Sequence, residues 1–304
     1  MIDRLGRNIT YLRISVTELC NLRCRYCMPE DGVCKLKHED MMTEDEIIMA
    51  VEAAASLGIT KLRLTGGEPL VKKNIVSICR RAAAVEGIKE VCLTTNGLLL
   101  PKLAKQLKEA GVKRINLSLD TLDPEKYAYI TRIGKLENFK AGLQAALDAN
   151  FDKVKINAVL IGGFNENEIV DLAELTRLYP VDMRFIEMMP MYDSGDFSAA
   201  SFIPNKKVLE YLPEAVPVPH DGGVAELYRL PGALGNNPVI EGARGCMREC
   251  YAHLEARGVL KKKFVNRFRE PGYQPWRITP EMRERFVNEH IPVENAVEIT
   301  ENEE

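Results

Sequence analysis

The chain has 304 residues, of which 46% are hydrophobic and 28% charged, and its formal net charge is −3. This length can bury one large core plus a smaller appendage. No apolar run is long enough to span a bilayer, no secretory signal opens the chain, and the near-balanced charge gives no global case for nucleic-acid binding. Eight cysteines without a paired framework point to a reducing, cytoplasmic setting in which thiolates bind metal. The oligomeric state is left open.

In chain order, a short strand is predicted at Leu12–Val16, and directly after it Cys20, Cys24 and Cys27 stand as CxxxCxxC with Tyr26 before the third. Three thiolates hold three corners of a cubane [4Fe–4S] cluster, leaving the fourth iron open to a small molecule, so the spacing reads as a reactive cluster. A zinc knot is the alternative, with Cys34 and His38 as the nearest further ligands. A helix follows: Thr43 and Glu46 have capping-box spacing, Ile47, Val51 and Ala54 form an apolar stripe, and Gly58 sits at the expected C-terminal cap. The second strand, Lys61–Thr65, runs into Gly66-Gly67-Glu68-Pro69.

Further strands are predicted at Glu90–Thr94, Arg114–Leu119, Val154–Leu160 and Val181–Ile186. Helices are predicted over Lys73–Val85, Lys102–Ala110, Leu136–Ala149 and Glu166–Leu178. Successive βα units imply a parallel α/β sheet curling toward a barrel, and the length suits a partial (β/α)6 TIM-like barrel.

Several strands alternate apolar and polar residues: Arg13 and Ser15 in the first, Asn116 and Ser118 in the fourth, Lys155 and Asn157 in the fifth, Asp182 and Arg184 in the sixth. Side chains alternate faces along a strand, so one face packs on helices and the other lines a polar lumen. Arg13, Arg63, Lys155 and Arg184 there imply a positive cavity for an anionic substrate. The alternative is internal pairing with Asp120, Asp182 or Glu187. Cys92, within a predicted strand, reads as a small core residue.

The ordered pair of CxxxCxxC after one strand and GGEP after the next resembles the radical S-adenosylmethionine (SAM) enzymes. The segments Leu12–Thr17, Cys24–Pro29, Arg63–Leu70, Ser118–Pro124 and Arg184–Pro190, together with Tyr228–Ala233, narrow the likeness to the GTP 3′,8-cyclases of molybdenum cofactor biosynthesis, over roughly residues 1–235. The resemblance implies one [4Fe–4S] cluster on Cys20, Cys24 and Cys27. It implies SAM contacts from Tyr26, Gly66, Glu68, Thr95, Asn96, Ser118 and Met189, and binding of GTP phosphates or SAM by Arg13, Lys155 and Arg184. It further implies an external one-electron reductant of flavodoxin or ferredoxin type, and a lyase that cleaves SAM reductively and cyclises GTP.

Residues 236–304 form a C-terminal region that departs from the family. Where the family presents CxxC, a basic Asn-Arg-x-Arg stretch and a later cysteine for a second cluster, this chain has Cys246 and Cys250 as CxxxC and no cysteine after them. Three readings compete: His253 as a further ligand, a ligand folded back from Cys34, Cys79 or Cys92, or no second cluster, with Cys246 and Cys250 packing on one helical face. The last leads. The departure keeps two other functions open: a radical SAM enzyme of this lineage acting on another anionic or peptide substrate, and a non-catalytic SAM- or GTP-binding protein.

Overall fold

The computed structural model describes residues 8–32, 41–188, 201–204, 206–219 and 226–240. All of them belong to the first of two units into which the chain divides, Met1–Cys250. Met189, Cys34, His38, Cys246, Cys250 and His253 lie outside the described residues.

Six parallel strands build the sheet: β1 (Tyr11–Ser15), β2 (Lys61–Thr65), β3 (Glu90–Thr95), β4 (Val112–Ser118), β5 (Lys153–Leu160) and β6 (Val181–Glu187). They lie in sequence order, each paired with the next. The connections carry the helices α1 (Glu44–Ser56), α2 (Ile75–Ala84), α3 (Leu100–Glu109), α4 (Pro124–Thr131), α5 (Leu136–Asp148) and α6 (Ile169–Leu178). Repeated βα units in sequential order give the partial barrel expected from the strand spacing.

Beyond β6 the chain adds a short helix α7 (Lys207–Tyr211) and the strands β7 (Val216–Pro217), β8 (Glu226–Arg229) and β9 (Asn237–Ile240). β9 runs parallel to β6, and β8 and β7 follow it antiparallel, giving the order β1-β2-β3-β4-β5-β6-β9-β8-β7. Among the described residues β1 pairs with β2 alone, so the sheet does not close.

The first helix forms for the reasons its sequence states. The Thr43 hydroxyl accepts from the Glu46 amide at 3.3 Å, while the Glu46 carboxylate accepts from the Thr43 amide at 2.7 Å, a complete capping box worth about 1 kcal/mol. Its buried stripe is Ile47, Ile48 and Val51, and the chain leaves the helix through Gly58 at φ 93°.

Three predicted helix starts shift: α2 begins at Ile75, α3 begins two residues early at Leu100, and α6 begins at Ile169 because Glu166–Glu168 is a separate 3-10 turn. Helix α4 has no counterpart among the predicted elements, because eight residues carry too little periodicity to register. Its start signal is nonetheless present: Asp123 Oδ1 accepts from the Glu125 and Lys126 amides at 2.8 and 3.0 Å, and Pro124 occupies the first turn.

The sheet's two faces separate as the alternation implies. Leu62, Leu64, Leu93, Ile115, Leu117, Ile156, Met183 and Phe185 are fully buried in the apolar core, each stabilising the fold by roughly 1.5–3 kcal/mol. The other face carries the polar rows. Laterally paired residues share a face, so Arg13, Arg63, Cys92 and Arg114 form one row and Thr94, Asn116, Lys155 and Asp182 the next. Ser118, Asn157 and Arg184 form a third.

Cys92 is fully buried, as expected of a small core residue, and its register sets it on the polar face. It lies outside the apolar cluster, its thiol donates to the Leu62 carbonyl at 3.4 Å, and its charged neighbours are Arg63 and Arg13.

Candidate active site

Three structures meet at the C-terminal ends of β1 to β4: the cysteine loop after β1, the glycine turn after β2, and the Thr95-Asn96-Gly97 turn after β3. In the first, the Cys27 and Met28 amides donate to the Cys24 carbonyl at 2.9 and 3.1 Å, folding the loop into a turn. Cys20, Cys24 and Cys27 are all free thiols, the first two half-buried and the third exposed. Burial pushes all three upward in pKa. The charges of Cys20, Cys27 and Asp120 add to the rise at Cys24, and those of Cys20 and Asp120 to the rise at Cys27.

Once ionised, the three thiolates of one loop repel one another and so suit a cationic guest, and soft sulfur donors suit iron. Among the described residues no three His, Cys, Asp or Glu side chains gather as a single metal ion demands. A cubane takes each thiolate on a different iron, so its ligands need not converge.

The glycine turn is pressed against this loop. The Gly67 and Glu68 amides donate to the Thr17 and Leu19 carbonyls at 2.7 Å each. A Cβ on Gly67 would collide with the carbonyl oxygens of Leu19 and, at 2.5 Å, Glu18, while one on Gly66 would collide with that of Thr17. Only glycine allows this approach of backbone to backbone.

Glu68, 1% exposed, ties the second turn to the third. Its carboxylate accepts from the Leu70 amide at 2.9 Å, the Thr95 hydroxyl at 2.7 Å and the Asn96 amide at 2.7 Å. Burial raises its pKa and these three donors oppose the rise. Two carboxylate oxygens offer about four acceptor positions, so one remains for a further donor. Thr95 pairs with Leu117 on the helix-facing side, and its hydroxyl is engaged by Glu68. Asn96 donates from its side chain to Asn21 Oδ1 at 2.7 Å, joining the third turn to the cysteine loop.

Tyr26 reaches across to the end of β4. Its hydroxyl donates to Asp120 Oδ2 at 2.7 Å, while Asp120 Oδ1 accepts from the Val159 amide at 2.9 Å. Burial lifts the Asp120 carboxyl to about 6. Asp120, one of the expected partners for lumen cations, thus holds the cysteine loop instead. Ser118 is the last residue of β4, two positions earlier.

Below these loops lies the cationic face. Lys155, 3% exposed, pairs with Asp182 at 3.2 Å, and Lys153 shares that carboxylate at 2.8 Å. Internal pairing therefore holds for Lys155. Burial, with Arg184 adding to it, nevertheless pushes the Lys155 ammonium down to about 8. Arg184 is half-buried, and burial together with Arg63 and Arg114 lowers its pKa.

The Nε atoms of Arg63 and Arg184 are buried without a hydrogen-bond partner, as are Thr94 Oγ1, Asn116 Oδ1 and Asn157 Oδ1 on the same face. Arg63 lies over the Tyr11 ring at 5.1 Å, and Arg114 forms an ion pair with Glu90. Arg13 pairs laterally with Arg63 and is exposed. Crowded cations with unanswered donors have the electrostatics of an anion site. Arg114 was not singled out as a site residue from sequence, whereas strand alternation alone assigns Asn116 to this face.

The chain matches the radical SAM superfamily over residues 14–176. It is 51% identical over 241 residues to a GTP 3′,8-cyclase of Pelotomaculum thermopropionicum, covering 77% of this chain and 74% of that one. It is 48% identical over 244 residues to a GTP 3′,8-cyclase of Peptoclostridium acidaminophilum, covering 79% and 75%. The fold is similar to that of Streptococcus suis SuiB bound to precursor peptide SuiA, with a TM-score of 0.56 and 18% identity over 67% of this chain and 45% of that chain. No helix of the described residues is long and apolar enough to cross a membrane. With its open parallel barrel, three-cysteine loop and glycine turn, the chain belongs to the radical SAM superfamily and, within it, to the GTP 3′,8-cyclase family.

Proposed function

We propose that the chain uses one [4Fe–4S] cluster and SAM to convert GTP into 3′,8-cyclo-7,8-dihydro-GTP, the opening reaction of molybdenum cofactor biosynthesis. The carrying observation is the face on which Arg63, Arg184 and Lys155 crowd together, with buried guanidinium donors left unanswered. A triphosphate answers them: arginine forks match phosphate oxygens and lysine adds a point charge. Arg13, at the exposed edge of the row, takes the outer part of the same anion.

Cys20, Cys24 and Cys27 would hold the cluster. Bound there with SAM, it would supply one-electron reductive cleavage at the sulfonium and so the means of removing hydrogen from the 3′ carbon of GTP, with a second electron and a proton from outside completing the cyclised dihydro product. The remaining work is positional. Gly66 and Glu68 offer carbonyl and carboxylate acceptors to the SAM amino group, with Thr95 orienting Glu68. Asn96 and Ser118, on adjacent strand ends, face the SAM ribose and carboxylate, and Tyr26 borders the same space. Met189, outside the described residues, is assigned to the adenine by family likeness alone. An external electron carrier of flavodoxin or ferredoxin type would reduce the cluster. The reaction class, with no hydrolysis or net redox change in the nucleotide, is that of a lyase.

Gly67→Ala is expected to weaken SAM binding more than ten-fold, because the added methyl meets backbone carbonyls on the cysteine loop that cannot move without shifting that loop. Titration calorimetry of the reconstituted protein checks this, and unchanged SAM affinity would contradict the assignment of the turn.

The deciding experiment reconstitutes the protein anaerobically, measures iron and sulfide, then adds dithionite and SAM with and without GTP. Iron equivalent to one cluster, GTP-dependent release of 5′-deoxyadenosine and cyclised nucleotide is the expected result. Iron for two clusters would point to further ligands beyond the described residues. Cleavage indifferent to GTP favours the second reading, another anionic or peptide substrate, which the CxxxC at Cys246 and Cys250 keeps open. No cleavage at all would leave a binding protein.

A further inference from the structure

The last carbonyls of an α-helix have no partner within the helix, and at α4 the cysteine loop supplies them. Arg25 donates from Nε to the Tyr129 carbonyl and from its backbone amide to the Ile130 carbonyl, both at 2.9 Å, and the Arg23 amide donates to the Thr131 carbonyl at 3.1 Å. The loop is thus the C-terminal cap of α4.

The helix answers through the next residue. Arg132 Nη1 donates to the Arg23 carbonyl at 2.6 Å and to the Met28 carbonyl at 3.1 Å, the two positions that bracket Cys24 and Cys27. Arg132 does this from φ 63°, ψ −41°, a region costly for any residue with a Cβ and open to glycine. Strain at a residue whose side chain fastens both ends of a ligand loop points to a function for that side chain.

We propose that Arg132 is a positioning residue that holds the Cys24–Cys27 segment in its ligating shape from the end of α4. The inference rests on the reading of Cys20, Cys24 and Cys27 as cluster ligands, and its test includes an arm that needs no cluster. Arg132→Gly removes the guanidinium while relieving the backbone; Arg132→Lys keeps a cationic donor able to reach one carbonyl.

In the apoprotein, Arg132→Gly is expected to speed hydrogen exchange across residues 23–28 by about ten-fold or more, the loss of one or two hydrogen bonds from a charged donor. Its melting temperature should equal or exceed that of the parent. After reconstitution, the variant's iron–sulfur absorption should bleach about ten-fold faster under an iron chelator, and the EPR line shape of the reduced cluster with SAM should change. Arg132→Lys should fall between the two on both readouts.

Unchanged exchange in Arg132→Gly, or a cluster as durable as the parent's, overturns the proposal. A lower melting temperature does so as well, by making the role one of fold stability. If the parent itself takes up no cluster, the ligand reading of the cysteines fails. Exchange then decides alone: faster exchange upholds Arg132 as the clamp of this loop, and unchanged exchange removes it.

Discussion

Cys24→Ala is expected to lose the cluster and with it all SAM cleavage, the largest effect of any single substitution in this chain. Cys24 sits at the turn on which the loop folds, its carbonyl accepting from both the Cys27 and Met28 amides. Burial with the charges of Asp120, Cys27 and Cys20 keeps its thiol protonated in the empty chain, so a cluster must displace that proton to bind, which makes loading favour higher pH. Two remaining thiolates leave two irons open and the cubane labile. Iron content and the 5′-deoxyadenosine released with dithionite measure both consequences. A Cys24→Ala protein that retained iron and cleaved SAM would overturn the ligand assignment. Cys246→Ala, by contrast, should spare both if one cluster serves the chain.

Arg184→Ala should weaken GTP binding by about ten- to a hundred-fold, the range for losing hydrogen bonds from a charged donor to an anion, with SAM affinity unchanged. Because Arg184 is crowded by Arg63 and Arg114, its removal relieves repulsion in the empty protein, and the melting temperature should not fall.

The same crowding predicts a pH dependence. Lys155, pushed down to about 8 by burial and Arg184, loses its proton as pH rises through that value, so GTP affinity should fall there and binding should take up a proton. For stability the sign is opposite. The folded chain holds this proton more weakly than the unfolded one, so Lys155 costs stability below about 8. That cost is relieved as pH rises toward the ordinary lysine value near 10.5. In Arg184→Ala the inflection should move up, because one repelling charge is gone; isothermal titrations between pH 7 and 9 with GTP read it. A flat profile in the parent would remove Lys155 from the anion site.

The strands and the polar face were legible in the sequence because both depend on local periodicity. A period of two assigns Arg13, Asn116, Lys155 and Arg184 to one side whatever the surrounding fold, and Thr43 with Glu46 announces a helix start within four residues. The three cysteines and the glycine turn were legible as well, since ligand spacing and the demand for a missing Cβ are properties of short segments.

Tertiary structure decided what those segments do to one another. That Lys155 pairs with Asp182 while Arg63 and Arg184 keep unanswered donors follows from strand register, which a single strand cannot reveal. That Asp120 turns to Tyr26 and not to a lumen cation follows from which strand ends meet, and that Cys92 lies among arginines follows from register. The sharpest case is α4, too short to carry a periodic signal, whose end becomes the anchor of a loop about a hundred residues earlier in the chain. Sequence by itself determined the strands, the longer helices and the alternation that makes one face of the sheet polar, because these rest on neighbours along the chain. Partners, burial and shifted pKa values belong to the fold, because they arise only where distant segments exclude water together.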